Sequence, residues 1–104
     1  MIYDIVIPIH PKDFSQIDML LISINKYLVN KRNIYLISSQ NIDKNNVIWF
    51  NEEMFPFNKD FIKNKFHFEE RTGWYYQQLL KLYSIITIPD ILDYVLILDS
   101  DCLF

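Results

Sequence analysis

The chain opens on Ile2 to Ile9, IYDIVIPI, a β-branched apolar run closed by Pro8 and then by His10-Pro11. Apolarity this continuous predicts a strand covered on both faces, as in a parallel sheet. Asp13 follows, with Gln16 three residues on, the spacing of a loose capping box. Ile17, Leu20, Leu21, Ile24, Tyr27 and Leu28 then recur at helical spacing, so an amphipathic helix follows the strand. Asn33 to Ser38 (NIYLIS) predicts a second strand, bounded by Asn30-Lys31-Arg32 and Ser39-Gln40-Asn41. Val47 to Phe50 (VIWF) is a third, shorter one, and Asn51 to Asn58, with Pro56, reads as a loop. Phe61, Ile62, Phe66 and Phe68 fit a short helix or a strand equally well. Thr72 can cap a helix over about Gly73 to Ser84, in which Tyr75, Leu79, Leu82 and Tyr83 share a face beside Gln78 and Lys81. Pro89 ends anything helical before it, and Tyr94 to Leu98 (YVLIL) is a last apolar strand delivering Asp99-Ser100-Asp101.

Strand, helix, strand, strand, helix, strand is the order of an α/β fold with a mostly parallel sheet and flanking helices. Neither a linker nor an internal repeat divides the 104 residues, which suit one small domain. With 51% hydrophobic and 22% charged residues the chain has the composition of a globular protein.

Charge and composition narrow the partners. A net charge of -3 gives no basic surface for counterion release, so nucleic acid is not an expected partner. Lys59, Lys63 and Lys65 lie among Asp60, Glu69 and Glu70, as on an ordinary solvated face. Gly73 is the one glycine, which argues against a glycine-rich phosphate loop. A single cysteine, Cys102, excludes an internal disulfide and suits a reducing, cytoplasmic compartment, where it reads as a small buried apolar group. The N-terminal run has no basic flank or cleavage site, and no apolar run approaches the ~18 residues of a membrane span.

Candidate chemistry concentrates at two places. Asp99 and Asp101 arrive at the carboxyl end of an apolar strand, where open α/β sheets bind ligands, and residues two apart on extended backbone point to one side. Two close carboxylates need a compensating positive charge, and Mg²⁺ or Mn²⁺ supplies one with a preference for oxygen ligands. The plainer alternative has Asp99 capping a turn and Asp101 solvated. The second place is Arg71-Thr72-Gly73-Trp74-Tyr75-Tyr76-Gln77-Gln78-Leu79-Leu80-Lys81. Arg71 at a helix start can meet an anion, while the glutamines and tyrosines offer hydrogen bonds and stacking, or simply packing. His10, between two prolines at a strand end, suits either a ligand contact or a plain surface position, and His67 reads as packing or exposed.

Taken together, Ile7-Pro8-Ile9, the stretch from Arg71 to Lys81, and Leu96-Ile97-Leu98-Asp99-Ser100-Asp101 resemble a GT-A-type glycosyltransferase, and more narrowly the DUF6492-like group of that class. The resemblance covers nearly the whole chain in order. It implies a Rossmann-like sheet of the nucleotide-diphospho-sugar transferase type, with the nucleobase beside the end of the first strand. It further implies Mn²⁺ or Mg²⁺ bridging the D-x-D motif to the diphosphate of a nucleotide sugar. By that resemblance Asp101 is the direct metal ligand, and Asp99 contacts the donor ribose or sugar or joins the metal through water. Pro8, Ile9 and His10 line the nucleotide pocket, with Arg71, Gln77 and Lys81 as further donor contacts. The family continues well beyond its D-x-D motif, so residues 1–104 correspond to the N-terminal, donor-binding half, and the fold is expected to be incomplete. An acceptor-binding half, a catalytic base and cover for the sheet edge, from the missing half or a partner chain, would lie elsewhere. The acceptor would be a hydroxyl of a glycan, lipid or protein, and a lipid-linked one would bring the protein to a membrane surface.

Two other functions fit parts of the pattern. A non-catalytic remnant could bind nucleotide without transfer, or pair with another subunit through its sheet edge. Haloacid-dehalogenase-like phosphatases also set D-x-D behind an apolar strand, the first Asp acting as nucleophile beside Mg²⁺. They usually open the fold with that motif and carry Thr or Val where this chain has Leu103, so they fit less well. A Rossmann dehydrogenase would need a G-x-G-x-x-G after the first strand, which is lacking.

Overall fold

A computed structural model of the chain describes residues 2–58, 60 and 72–99, with only the backbone for 72–75. Four strands, β1 (Tyr3–Pro8), β2 (Lys31–Ser38), β3 (Ile48–Asn51) and β4 (Val95–Ile97), form one sheet in the order β3-β2-β1-β4. Every pairing is parallel, so this is an α/β fold. Helix α1 (Ile17–Tyr27) joins β1 to β2, and helix α2 (Thr72–Thr87) precedes β4.

The unbroken apolarity of β1 is explained by its place between β2 and β4 with cover on both faces. Ile5, Ile7 and Ile9 pack with Ile17, Leu20 and Ile24 of α1 and with Ile34 and Leu36 of β2. Val6, Tyr35 and Ile37 point the other way, onto Tyr76 and Leu80 of α2 and onto Phe55 and Ile88. Ile5, Val6 and Ile7 are fully buried, each contributing roughly 1.5–3 kcal/mol.

The details depart from the sequence pattern in four places. Pro11–Gln16 forms a 3-10 turn ahead of α1, so the cap falls at His10 rather than Asp13. Its imidazole Nδ1 accepts from the Lys12 N–H at 3.1 Å, and Pro11 starts the turn with a preset φ and no N–H to satisfy. A second 3-10 turn, Glu52–Met54, occupies part of the expected loop. Helix α2 runs to Thr87, three residues past Ser84, and Ile88 N–H closes onto the Ser84 carbonyl at 3.0 Å before Pro89. Its buried stripe is Tyr76, Leu80 and Ser84, with Leu79 partly covered, while Leu82 is exposed and Tyr83 partly so, its ring edge-on to Phe57 at 5.3 Å. The helix is apolar nearly all round, so periodicity alone did not pick the core face. The segment holding Phe61, Ile62, Phe66 and Phe68 lies outside the described residues. Among those described, no helix is long and apolar enough to cross a membrane.

Asp4, which interrupts the first apolar run, is the one fully buried carboxylate among the described residues. Its oxygens accept from Arg32 Nε at 3.0 Å and a second Arg32 nitrogen at 2.7 Å, and from the N–H groups of Asn33 at 3.0 Å and Leu92 at 2.9 Å. Between the pairs Tyr3–Lys31 and Ile5–Ile34, β2 carries one residue more than β1. Such a bulge frees a backbone donor, and here the Asn33 N–H goes to Asp4. Arg32 also donates to the Asp90 carbonyl at 2.6 Å, so this cluster ties β1, β2 and the turn before β4 together. Burial alone would raise the Asp4 pKa, but Arg32 and the two backbone N–H groups outweigh it and hold the carboxyl below its usual value. The left-handed position in that turn falls to Asp90 (φ 60°), as others do to Asn30 and Asn46 (both φ 65°). Short polar side chains tolerate this region better than most in a chain with so little glycine.

Candidate functional site

Strand order reverses at β1: the chain builds β2 and β3 on one side, then returns to place β4 on the other. In parallel α/β sheets the crevice at the carboxyl ends on either side of such a reversal is where ligands sit. Here that position lies between the end of β1, at Pro8, and the end of β4, at Ile97.

The register dictates which side chains meet there. Asp4, Ile5 and Val6 pair with Val95, Leu96 and Ile97, and the Leu98 N–H bonds the Val6 carbonyl at 3.0 Å. Carried two residues further, this register sets Pro8 beside Asp99. Val95 and Ile97 face α2, whereas Leu96 and Leu98 face α1. By the same alternation Asp99 falls on the α2 side. There it meets Lys81, whose Nζ forms an ion pair with Asp99 Oδ1. The two side chains differ in access: Lys81 is 14% exposed and Asp99 58%. Leu80, next to Lys81, is anchored in the core, and the Lys81 carbonyl accepts from the Ser84 hydroxyl at 2.7 Å, which fixes this turn of the helix.

The residues singled out from the sequence therefore fall into three groups. Lys81 and Asp99 are in contact, Pro8 is at the same strand end, and half-buried Gln77 sits one helical turn before Lys81. Ile9 and His10 follow Pro8, with different roles. The Ile9 side chain is 2% exposed in the α1-side core and its N–H bonds the Ile37 carbonyl at 2.9 Å, so it has little side-chain surface for a ligand. His10 is exposed and already caps the 3-10 turn through Nδ1. Arg71 and Asp101, with His67 and Cys102, lie outside the described residues.

A metal at this position finds one described carboxylate, Asp99, at a strand end open to water. Mg²⁺ and Mn²⁺ take one or two protein carboxylates with phosphate oxygens and water, so Asp99 would supply one ligand of such a shell. Among the described residues no three His, Cys, Asp or Glu side chains gather as a ligand set.

No family model, no curated protein and no solved structure matches the chain.

Sequence reasoning missed a groove at the end of β3. It has a volume of ≈ 550 Å³, with carboxylates from Glu52, Glu53 and Asp60 and rings from Phe55, Phe57 and Tyr76 in its walls. The rings lock edge to face, Phe50 to Phe55 at 5.7 Å, Phe55 to Phe57 at 5.9 Å and Phe57 to Tyr76 at 5.8 Å. Burial, and then the charge of Glu52 and its hydrogen bond, push the Tyr76 hydroxyl well above its ordinary pKa. Glu52-Glu53 followed by Phe55-Pro56-Phe57 was the available signal, which a loop assignment passed over.

Proposed function

We propose that this chain binds a nucleotide-diphosphate sugar through a divalent metal at Asp99 and Asp101, as the donor-binding part of a GT-A-type glycosyltransferase. The observation that carries the proposal is the convergence of Pro8, Lys81 and Asp99, chosen from sequence, at the crevice where strand order reverses. The order β3-β2-β1-β4 is also that of the first four strands of doubly wound dinucleotide-binding sheets, which supports a Rossmann-like relationship.

In this reading the residues divide the work by charge. The end of β1 provides the wall against which the nucleoside rests. Asp99 and Asp101 hold the metal, which when bound offsets charge developing on the departing diphosphate. Lys81 adds a point charge to phosphate oxygens from the α2 side. In the reaction the bond from the sugar's anomeric carbon to the diphosphate breaks, its electron pair leaving with the diphosphate. The acceptor hydroxyl oxygen bonds that carbon and gives up its proton.

Calorimetric titration with UDP and GDP, with and without Mn²⁺, tests the proposal on the protein and on Asp99→Ala and Asp101→Ala. Binding that needs Mn²⁺ and is lost in both variants is the expected result. A folded protein that binds neither nucleotide in the presence of metal would overturn it.

A further inference from the structure

We infer that the Lys81 ammonium occupies, at Asp99, the place of the divalent cation, and that it transfers from the carboxylate to the diphosphate when metal and nucleotide enter together. The inference rests on the donor-site proposal and adds why its two ligands should bind as a couple.

Three observations carry it. Lys81 and Asp99 already form an ion pair, so the charge compensation that a metal would give Asp99 is supplied by the chain itself. The open partner is the carboxylate: Asp99 is 58% exposed, whereas Lys81 is 14% exposed and rises from a turn fixed by Leu80 and the Ser84 hydroxyl. Ligands therefore reach Asp99 from solvent, while the base of the lysine stays fixed on α2 and only its ammonium moves. Finally, among the described residues Asp99 takes one side-chain ion pair, in contrast to Asp4, which accepts four hydrogen bonds from Arg32 and two backbone N–H groups. With its carboxylate open to water the pair is weaker than a buried one, changing an equilibrium by roughly fivefold.

Exchange follows from charge balance. A metal arriving alone must displace the ammonium from Asp99 and leave Lys81 without an anion. A diphosphate arriving alone draws Lys81 away and leaves Asp99 without a cation. When both arrive, Asp99 holds the metal, Lys81 holds a phosphate oxygen, and each charge is matched. Lysine suits this exchange because its ammonium is a compact point charge on a flexible four-carbon stem. The two ligands should therefore each raise the other's affinity, reciprocally.

The test compares the protein with Lys81→Met, which keeps the apolar stem, and Lys81→Gln, with folding checked by circular dichroism and thermal melting. Mn²⁺ alone is titrated with free Mn²⁺ counted by electron paramagnetic resonance, and UDP is titrated calorimetrically at saturating Mn²⁺. Removing the ammonium should tighten Mn²⁺ binding in the absence of nucleotide by roughly two- to fivefold. The same change should weaken UDP binding in the presence of Mn²⁺ by roughly tenfold, the scale of one charge-assisted hydrogen bond. A merely structural lysine moves both affinities the same way. Mn²⁺ affinity that is unchanged or weaker in both variants overturns the inference, and if UDP still binds with Mn²⁺ the donor site stands without it. Tighter Mn²⁺ in the variants with no UDP binding to any of the proteins overturns the transfer to diphosphate and the nucleotide reading, leaving only competition between the ammonium and the metal at Asp99.

Discussion

Two aspartate–cation pairs sit at opposite ends of the same sheet and are built differently. At the amino ends of the strands Asp4 is fully buried and saturated by Arg32 and the N–H groups of Asn33 and Leu92. At the carboxyl ends Asp99 is 58% exposed and, among the described residues, pairs with Lys81. Arginine's planar fork suits the first, where two nitrogens grip both carboxylate oxygens. A lysine's single ammonium suits the second, where the contact must be easily exchanged. Composition would have counted the two pairs as equal. Burial and the number of donors distinguish a clamp on the fold from the proposed point of ligand entry.

The comparison breaks most sharply at Asp4. Asp4→Ala leaves two backbone N–H groups and a guanidinium without their acceptor, and should cost about 3 kcal/mol in urea unfolding. That is the low end for a broken buried pair, because Arg32 is 38% exposed. An equal loss in Asp99→Ala would erase the distinction. The Asp4 pKa is held below its usual value in the folded state, so its contribution to stability is complete above the ordinary carboxylate pKa. It is lost as pH falls through the depressed folded value. Urea unfolding from pH 7 to pH 2 should therefore show the gap between the protein and Asp4→Asn closing only at the acid end. Lys81→Met and Asp99→Asn should each cost roughly 1 kcal/mol, less than Asp4→Ala, because the Asp99 carboxylate is open to water although Lys81 is largely covered. Smallest of all, His10→Ala removes an exposed cap from a short 3-10 turn and should cost roughly 0.5 kcal/mol in thermal melting.

Much of the fold was legible because a parallel sheet writes itself as unbroken apolar runs. Ile5, Val6 and Ile7 needed cover on both faces, and α1 and α2 provide it. Lys81 and Asp99 were each named from the resemblance, but their meeting was not legible, because it needs the face of β4 that packs on α2. What was not legible depends on contacts distant in sequence. The role of Asp4 needs Leu92, 88 residues away. Neither His10 as a cap nor Tyr76 on the buried stripe of α2 could be drawn from residue type, because apolar residues surround that helix. The groove beside Phe55 and Phe57 was hidden because an acidic, proline-containing segment looks like any loop. Arg71 and Asp101, the other half of the candidate site, lie outside the described residues.

The central claim, that the exchangeable site lies between the ends of β1 and β4, is tested most directly by paramagnetic broadening of backbone amide resonances. Mn²⁺ is added in small amounts in the presence of UDP, and each amide is followed by nuclear magnetic resonance. Broadening centred on Ile9, His10, Leu98 and Asp99, with Asn33 and Leu92 at the opposite end left sharp, is the predicted result. Broadening centred instead on Glu52, Glu53 and Asp60 would put the cation in the aromatic groove and contradict the account.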